Sequence, residues 1–382
     1  MKPISFPRAL AAGLLLLGLA GCRREALPNY PPAFHEYAYV SNGKSDSVSV
    51  IDVLHFKLVT NIPVGHDPTG VAVNPAKNEV YVVNSGSDNV SVLDAERNQV
   101  TAVIGVHHLP YFISVSADGR RAYVANAGSA NVSVLDLEHH KLLVTLGVGA
   151  APGLARVSPD GRTVVVSNRG GDSVSLIDAD KLAVRATLPA CSQPEDIVIL
   201  PDYSKAFVSC SGSNQVAAID LKSDRLLALL DVGQTPVDLA LKPDGGELLV
   251  SNFAADSISI LETGPNEAES SHLIGRQPVR GLVNAGNSLL YVSNFGSDSV
   301  GVFGIDNRKL LATVRVGSRP DALALTTDQG ALLVADTASG DVAVVFVDER
   351  NSQFTLFTMI PVGLAPNQIA VKSFMATRPP AQ

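Results

Sequence analysis

The sequence contains no tryptophan and only three cysteines, and 17% of its 382 residues are charged. Acidic residues outnumber basic ones, 37 to 29. This balance argues against a general affinity for nucleic acid or anionic lipid headgroups, which requires clustered Lys and Arg. The sequence has no Cys-x-x-Cys-His motif, which excludes covalent attachment of a c-type haem. It also lacks a nucleophile elbow and a phosphate-binding glycine loop, which favours a binding protein over an enzyme.

An apolar run from Ala9 to Leu19 follows the basic residues Lys2 and Arg8. The run is too short to span a bilayer as a helix but is typical of a signal-peptide core. It leads into Ala20-Gly21-Cys22, which resembles the bacterial lipobox. That resemblance implies cleavage after residue 21 and lipidation of Cys22; a plain signal peptide with an incidental cysteine is the alternative.

Residues 22–36 then form the lipidated cysteine and a tether, which we expect to be semi-extended because it contains Pro28, Pro31 and Pro32. Arg23 follows the cysteine, where an Asp is associated with inner-membrane retention in Gram-negative lipoproteins. The sequence therefore predicts an exported protein with a lipid anchor in the cell envelope, at the outer membrane, on its periplasmic or surface side.

A four-residue motif recurs eight times at a spacing of 42 residues. Its copies begin at Tyr39, Tyr81, Tyr123, Val165, Phe207, Leu249, Tyr291 and Leu333. Each period contains four apolar runs of strand length separated by turn residues, with no amphipathic helix between them. Four antiparallel strands in this length are typical of one β-propeller blade, so the sequence predicts an all-β propeller.

The number of blades follows from the strand that comes after each VGxxP loop. This strand begins near Thr69, Tyr111, Gly153, Glu195, Val237, Val279, Asp321 and Asn367. The last copy of this strand has no further strands after it to complete a blade. The segment from Tyr37 to Phe56, in turn, has no such strand before it. We therefore predict eight blades in a single domain, residues 37–375, closed by the C-terminal strand and followed by a disordered tail, 376–382. A seven-bladed ring with a spare half-blade, which would expose an apolar edge, is the alternative.

The repeat has a consensus made of YVxN, a Ser/Asp turn, VSVID and VGxxP. Over residues 37 to about 374 it resembles the YVTN β-propeller repeat of YncE-like and surface-layer-like proteins. The resemblance implies a propeller fold, and members of this family include envelope proteins. The repeat is also similar to those of lactonase-like and haem-d1-binding propellers. No catalytic residue carries over, because the match is confined to positions that form the repeat.

Residues present in most blades are expected to be structural. An acid or amide follows the motif Asn by four residues in six copies, where it should cap its own turn. These residues are Asp46, Asp88, Asp172, Asn214, Asp256 and Asp298. Function should instead lie where the repeats differ, on the face that bears the VGxxP and YVxN loops at the mouth of the channel.

The candidate binding face is a mixed polar rim suited to an anionic or zwitterionic ligand, a sugar or a peptide. It comprises His66, Asp67, His107, His108, Tyr111, Glu195, Asp196, Asp238, Arg276, Arg280, Arg319 and Asp321. Asp238 and Arg280 occupy equivalent positions of adjacent blades, which favours pairing with each other. A haem or metal bound by His66, His107 and His108 is an alternative, but no fixed ligand spacing supports it, so no cofactor is predicted.

Cys191 and Cys210 replace a loop glycine and a turn asparagine on the same face of one blade. In an oxidising compartment they either form a disulfide or remain two partly buried thiols. The sequence does not fix the distance between their Cα atoms, so both alternatives stay open. The sequence favours a monomeric, non-catalytic envelope scaffold that binds an envelope protein, a glycan or a small ligand at the channel mouth. A lactonase-like enzyme or a haem-d1-related cofactor-handling protein is the alternative.

Overall fold

The computed structural model describes residues 30–377. The predicted signal peptide, the predicted lipidation site at Cys22, residues 22–29 with the tether's start, and residues 378–382 of the predicted tail lie outside these residues. Within residues 30–377, no helix is long and apolar enough to cross a membrane.

Thirty-two strands follow one another within residues 30–377, most of them short apolar runs that end at a turn. Strands β1 to β16 are Phe34–Asn42, Ser47–Asp52, Lys57–Pro63, Pro68–Val73, Glu79–Asn84, Asn89–Asp94, Gln99–Gly105, Pro110–Val115, Arg121–Asn126, Asn131–Asp136, Lys141–Gly147, Pro152–Val157, Thr163–Asn168, Ser173–Asp178, Ala183–Pro189 and Pro194–Ile199. Strands β17 to β32 are Lys205–Cys210, Gln215–Asp220, Arg225–Asp231, Pro236–Leu241, Glu247–Asn252, Ser257–Glu262, Glu267–Leu273, Pro278–Val283, Leu289–Asn294, Ser299–Gly304, Lys309–Arg315, Pro320–Leu325, Ala331–Asp336, Asp341–Asp348, Gln353–Pro361 and Pro366–Met375. Single 3-10 turns at Arg169–Gly171 and Phe253–Ala255 complete the elements.

The strands form eight four-stranded antiparallel sheets, which are the eight blades of the propeller. Blades two to eight are consecutive groups of four strands, from β4–β7 to β28–β31. Blade one has the order β3-β2-β1-β32, so the C-terminal strand closes the ring beside the first strand. The prediction of eight blades with this closure is confirmed, and the seven-bladed alternative is wrong.

The closing pair of strands is longer than its counterparts in the other blades. β1 has nine residues and β32 has ten, whereas the two inner strands of blade two have six each. The extra length pairs Phe34 with Met375, His35 with Phe374 and Glu36 with Ser373. The closing pair of blade one is therefore longer than the inner pair of blade two at the face opposite the mouth, where β1 begins and β32 ends.

Apolar side chains fill the space between adjacent blades. Tyr39 and Val48 of blade one, for example, pack with Val80 and Val82 of blade two, and all four are fully buried. Both faces of each sheet are apolar because each blade lies between two others. Eight such clusters of buried side chains hold the ring together.

The repeated polar residues link the two sets of loops on the mouth face. The Asn42 side-chain amide donates to the hydroxyls of Ser47 and Ser49 in its own blade. The Asp46 carboxylate accepts the backbone N–H of Asp67, 21 residues later, in the loop that leads to the next blade. Five counterparts of Asp46 make the same contact. These acids and amides are structural, as predicted, but their side chains bind the neighbouring VGxxP loop instead of capping their own turn, in which they adopt a left-handed backbone conformation.

Candidate functional site

The channel wall is charged over five consecutive blades. The innermost strands β12, β16, β20, β24 and β28 contribute six charged side chains, which we call the charged arc: Arg156, Glu195, Asp196, Asp238, Arg280 and Asp321. Strands β4 and β8, which line the channel in blades two and three, have no charged residue. The arc is therefore a local feature superimposed on a repeating framework.

Arg280 lies between two carboxylates from the blades on either side of it. Its Nη1 is 3.2 Å from Asp238 Oδ1, and its Nε is 3.6 Å from Asp321 Oδ1. Asp238 is buried, and its second oxygen accepts the backbone N–H of Gly281 at 2.7 Å. Asp238 and Arg280 thus pair with each other, and Asp321 joins the same network.

Arg156, at the other end of the arc, pairs with an aspartate of the next blade. Its Nη2 is 3.2 Å from Asp196 Oδ1, and its guanidinium lies 5.5 Å from the centre of the Phe112 ring. The other oxygen of Asp196 accepts the backbone N–H of Leu239 at 3.0 Å. Sequence reasoning missed Arg156. The signal was available, because the equivalent repeat positions Ser114 and Val198 carry no charge.

Burial controls the protonation of the arc. It raises the pKa of Asp238 to about 6, with Asp196 adding to the shift and Arg280 opposing it. Burial also raises the pKa of Asp321, again against the influence of Arg280. The pKa of Glu195 is raised by burial, although Arg169 lies 2.8 Å from its carboxylate. The arc can therefore exchange a proton at Asp238 close to neutral pH.

The three candidate histidines do not form a common site. His66 and His108 are exposed, and each ring bonds the structural acid of the preceding blade: Nδ1 of His66 lies 2.7 Å from Asp46 Oδ2, and Nδ1 of His108 lies 3.2 Å from Asp88 Oδ2. His107 instead bonds Thr145 Oγ1 at 2.9 Å through Nε2. Across residues 30–377, no group of three or more His, Cys, Asp or Glu residues is arranged to hold a metal ion.

The remaining candidates lie on the rim of the mouth. Asp67 and Arg276 are exposed in VGxxP loops, and Arg319 is exposed with its guanidinium 5.5 Å from the centre of the Phe295 ring. Tyr111 is half-exposed on β8, and its carbonyl oxygen accepts a hydrogen bond from Thr69 Oγ1. These side chains surround the opening, whereas the charged arc lines the wall below it.

Cys191 and Cys210 lie next to the charged arc in blade five. Their Cα atoms are 5.8 Å apart and their sulfur atoms are in bonding contact. This Cα separation is usual for a disulfide. Both cysteines are buried. Cys191 lies in the loop that leads into β16, the strand that bears the arc residues Glu195 and Asp196.

Residues 116–244 match the family model described as the YNCE-like β-propeller. The chain is an eight-bladed β-propeller that resembles the YncE-like family over this stretch. The matched stretch covers blades four and five with parts of blades three and six, and the remaining blades repeat the same strand pattern. No curated protein matches this chain significantly.

Solved structures show that this propeller shares its architecture with proteins of different activities. Dihydro-heme d1 dehydrogenase NirN, solved in complex with DHE, matches with a TM-score of 0.75 and 16% identity, over 90% of this chain and 76% of its own. Hydrazine synthase of Kuenenia stuttgartiensis matches with a TM-score of 0.58 and 23% identity, over 70% of this chain and 91% of its own. A protein of unknown function from Desulfotomaculum acetoxidans matches with a TM-score of 0.63 and 16% identity, over 77% of this chain and 99% of its own. At these identities the likeness concerns the fold alone.

Proposed function

We propose that this propeller is a lipid-anchored, non-catalytic binding protein of the cell envelope, which holds a partner or ligand at the mouth of its channel. The charged arc carries the proposal. Charged side chains from five consecutive blades are grouped on one side of the channel, where the framework itself requires no charge. Function is expected at such departures from a repeat, because residues shared by every blade serve the fold.

The path of the chain supports presentation of the mouth to a partner. β1 starts at Phe34 on the face opposite the mouth and ends at Asn42 beside the mouth loops. Residues 31–34 form a turn that stacks the Tyr30 ring on that of Phe34, so a tether extended over the eight residue steps from Cys22 to Tyr30 would reach about 28 Å. An anchor at Cys22 would hold the opposite face toward the lipid and direct the mouth away from it.

The chemistry of the arc favours a ligand with both acceptor and donor groups. Arg156 and Arg280 can donate hydrogen bonds to a carboxylate, while Glu195 and Asp321, whose side chains are partly exposed, can accept them from an ammonium or hydroxyl group. A zwitterionic small molecule or a peptide segment of an envelope protein has both kinds of group. Such a ligand would add hydrogen bonds to the existing ion pairs without leaving a charge unpaired.

Site-specific photocrosslinking in cells tests where a partner binds. A photoreactive phenylalanine at Tyr111 should yield a defined adduct, whereas the same group at Leu227, exposed on the outer strand β19, should not. The Arg156→Gln variant should weaken the Tyr111 adduct, and Arg225→Gln on the outer surface should not. Equal adducts from both positions, or an adduct at Leu227 alone, would contradict binding at the mouth.

The anchor and the non-catalytic role need separate measurements. Cys22→Ser should abolish incorporation of labelled palmitate and release the protein from membranes; persistent labelling would contradict the anchor. The absorption spectrum and native mass of the full purified chain address the role. A chromophore bound in stoichiometric amount would favour the cofactor-handling alternative and overturn the scaffold proposal.

A further inference from the structure

An apolar surface covers the outer strands of blades seven, eight and one, which are β27, β31 and β3. Seven large apolar side chains are exposed on these strands, and we call them the outer patch: Leu58, Val59, Leu310, Leu311, Leu356, Phe357 and Met359. The outer strand of blade eight contacts those of both neighbouring blades, so the patch is continuous. Contiguous exposed apolar surface marks a site of contact with a protein or a membrane.

The patch is a departure from the repeat, because apolar outer strands elsewhere stand alone. Blade three exposes Leu142 and Leu143, and blade five exposes Leu226, Leu227 and Leu229. The outer strands beside those two blades, β7, β15 and β23, each expose at most one large apolar side chain. Among the described outer strands, three successive apolar ones therefore occur at blades seven, eight and one.

Blade eight adds an aromatic corner to the patch. Its outer strand β31 has nine residues, none of them charged, whereas β3 and β27 have seven. Phe357 is 54% exposed. Its ring stacks on that of Phe346 at 4.3 Å and lies 5.6 Å from the Phe56 ring of blade one. These neighbours hold the exposed ring at the junction of blades eight and one, where it offers a preformed apolar contact.

The patch lies along the edge of the face opposite the mouth. β3 and β27 begin at that face, because each is antiparallel to a strand that starts beside the mouth loops. Leu58 and Val59 are the second and third residues of β3, and Leu310 and Leu311 hold the same places in β27. The chain enters blade one on the same face, at Phe34.

We propose that the outer patch rests on the surface of the phospholipid bilayer, an inference that depends on the anchor proposed above. A tether of at most about 28 Å between Cys22 and Tyr30 would keep this face close to the lipid. Blade one receives the tether and also contributes to the patch, so the anchor and the apolar surface lie on the same side of the ring. The propeller would lean on this edge with its mouth tilted away from the bilayer.

The charges around the patch fit a zwitterionic headgroup region. The three outer strands carry Lys57, Lys309 and Arg315 and no acidic residue. Such side chains can reach lipid phosphates while their stems lie on apolar surface. The turns that lead into these strands carry two acids, Asp306 and Glu349, and two basic residues. Because the net charge of the whole chain is negative, the anchor is needed to bring the patch to the lipid.

Tryptophan fluorescence tests this contact, because the sequence contains no tryptophan and an introduced one is the only indole. The full lipidated chain, carrying either Phe357→Trp or Leu227→Trp, is reconstituted in phosphatidylethanolamine–phosphatidylcholine liposomes with or without brominated acyl chains, which quench a nearby indole. Phe357→Trp should lose most of its emission in the brominated liposomes. Leu227→Trp, on the outer strand of blade five, should keep its emission, and equal quenching at both positions would overturn the proposal.

Further variants show which side chains make the contact. In the Phe357→Trp chain, Leu58→Asn combined with Leu311→Asn should restore much of the emission, whereas Leu226→Asn should not. Melting temperatures show whether each variant is folded, and flotation with liposomes shows whether it is anchored. A chain that fails to float contradicts the anchor and this inference with it, whereas an anchored chain with unquenched Phe357→Trp contradicts this inference alone.

Other occupants of the patch would give a different result. A photoreactive phenylalanine in place of Phe357 should form adducts with lipid. If it forms a dimer or an adduct with another protein instead, and the Phe357→Trp emission is not quenched, the patch binds that protein and the proposal is overturned.

Discussion

Cys191 and Cys210 lie 19 residues apart in blade five and occupy the two positions that hold a glycine and an asparagine in five other blades. In one of those blades, Gly149 N donates to Asn168 Oδ1 at 3.1 Å. A Cβ on Gly149 would lie 2.6 Å from the Asn168 side chain, so a larger residue there would force a local shift; blade three makes such a change, with His107 opposite Asn126. In blade five the paired cysteines remove that conflict and join the loop to the strand covalently.

Replacing both cysteines by the residues of the other blades should be better tolerated than replacing either one. Cys191→Gly with Cys210→Asn restores the usual pair, whereas Cys210→Asn alone places an asparagine against the Cβ of Cys191. A disulfide closing a loop of this size contributes about 3 kcal/mol in the chain-entropy model. Thermal unfolding with and without reductant measures the effect. Reductant should lower the melting temperature of the wild type and leave the double variant unchanged, and the opposite result would contradict the disulfide.

Blade eight carries a different exception, because Asp336 replaces the motif asparagine. Asp336 is fully buried. Burial, and then the neighbouring Asp341, raises the pKa of Asp336 to about 8. The folded protein therefore keeps a proton on this carboxyl at neutral pH, whereas the unfolded chain loses it near pH 4.

The free energy of unfolding should consequently fall as pH rises from about 4 through about 8, because the folded state binds the additional proton in this window. Asp336→Asn should remove this loss, since the amide is neutral and can donate to Asp341 as Asn84 does to Asn89. Chemical denaturation should show the variant more stable than wild type at pH 8, with a smaller difference at pH 5. Asp306→Asn, at an exposed position, is the control. A constant difference across this range would rule the explanation out.

Removing Arg280 should destabilise the fold through the acid that it leaves behind. Arg280→Gln leaves buried Asp238 without its cation, which costs about 3 kcal/mol when the acid is ionised. Because the pKa of Asp238 is raised to about 6, the loss should be larger at pH 7.5 than at pH 5. Denaturation should also show that Asp238→Asn restores stability to the Arg280 variant. Arg315→Gln on the outer strand of the same blade is the control, and equal losses from both arginines would contradict the pairing.

Ring closure can be tested by truncation. A chain that ends at Val362 lacks β32, which pairs with β1 over nine residues, so the inner edge of blade one would be exposed. We expect this chain to aggregate or melt well below the wild type, because an unpaired apolar edge recruits other chains. A chain that ends at Thr377 keeps β32 and is the matched control. Light scattering and circular dichroism provide the measurements, and identical behaviour of the two chains would mean that closure contributes little.

The architecture of the propeller could be predicted from the sequence because its determinants are local and repeated. The spacing from Tyr39 to Tyr81, kept in every later copy, sets the length of a blade, and counting the strand types identifies the closing strand. The strands pack between identical neighbours, so a regular pattern has one consistent assembly. The sequence also located the variable positions on the mouth face, including Asp238 and Arg280.

The tertiary structure decided which of these side chains meet. Arg156 reaches Asp196 and Arg280 reaches Asp321 across adjacent innermost strands, about one repeat apart in sequence, where spacing alone does not reveal side-chain direction. The fold also places His66 in a hydrogen bond with Asp46 and does not bring the three histidines together. It also placed the rings of His35 and Phe374, which belong to the two closing strands, 5.6 Å apart. A repeat fixes the backbone of every blade in the same way, but contacts between blades depend on the particular side chains that fill the space between them.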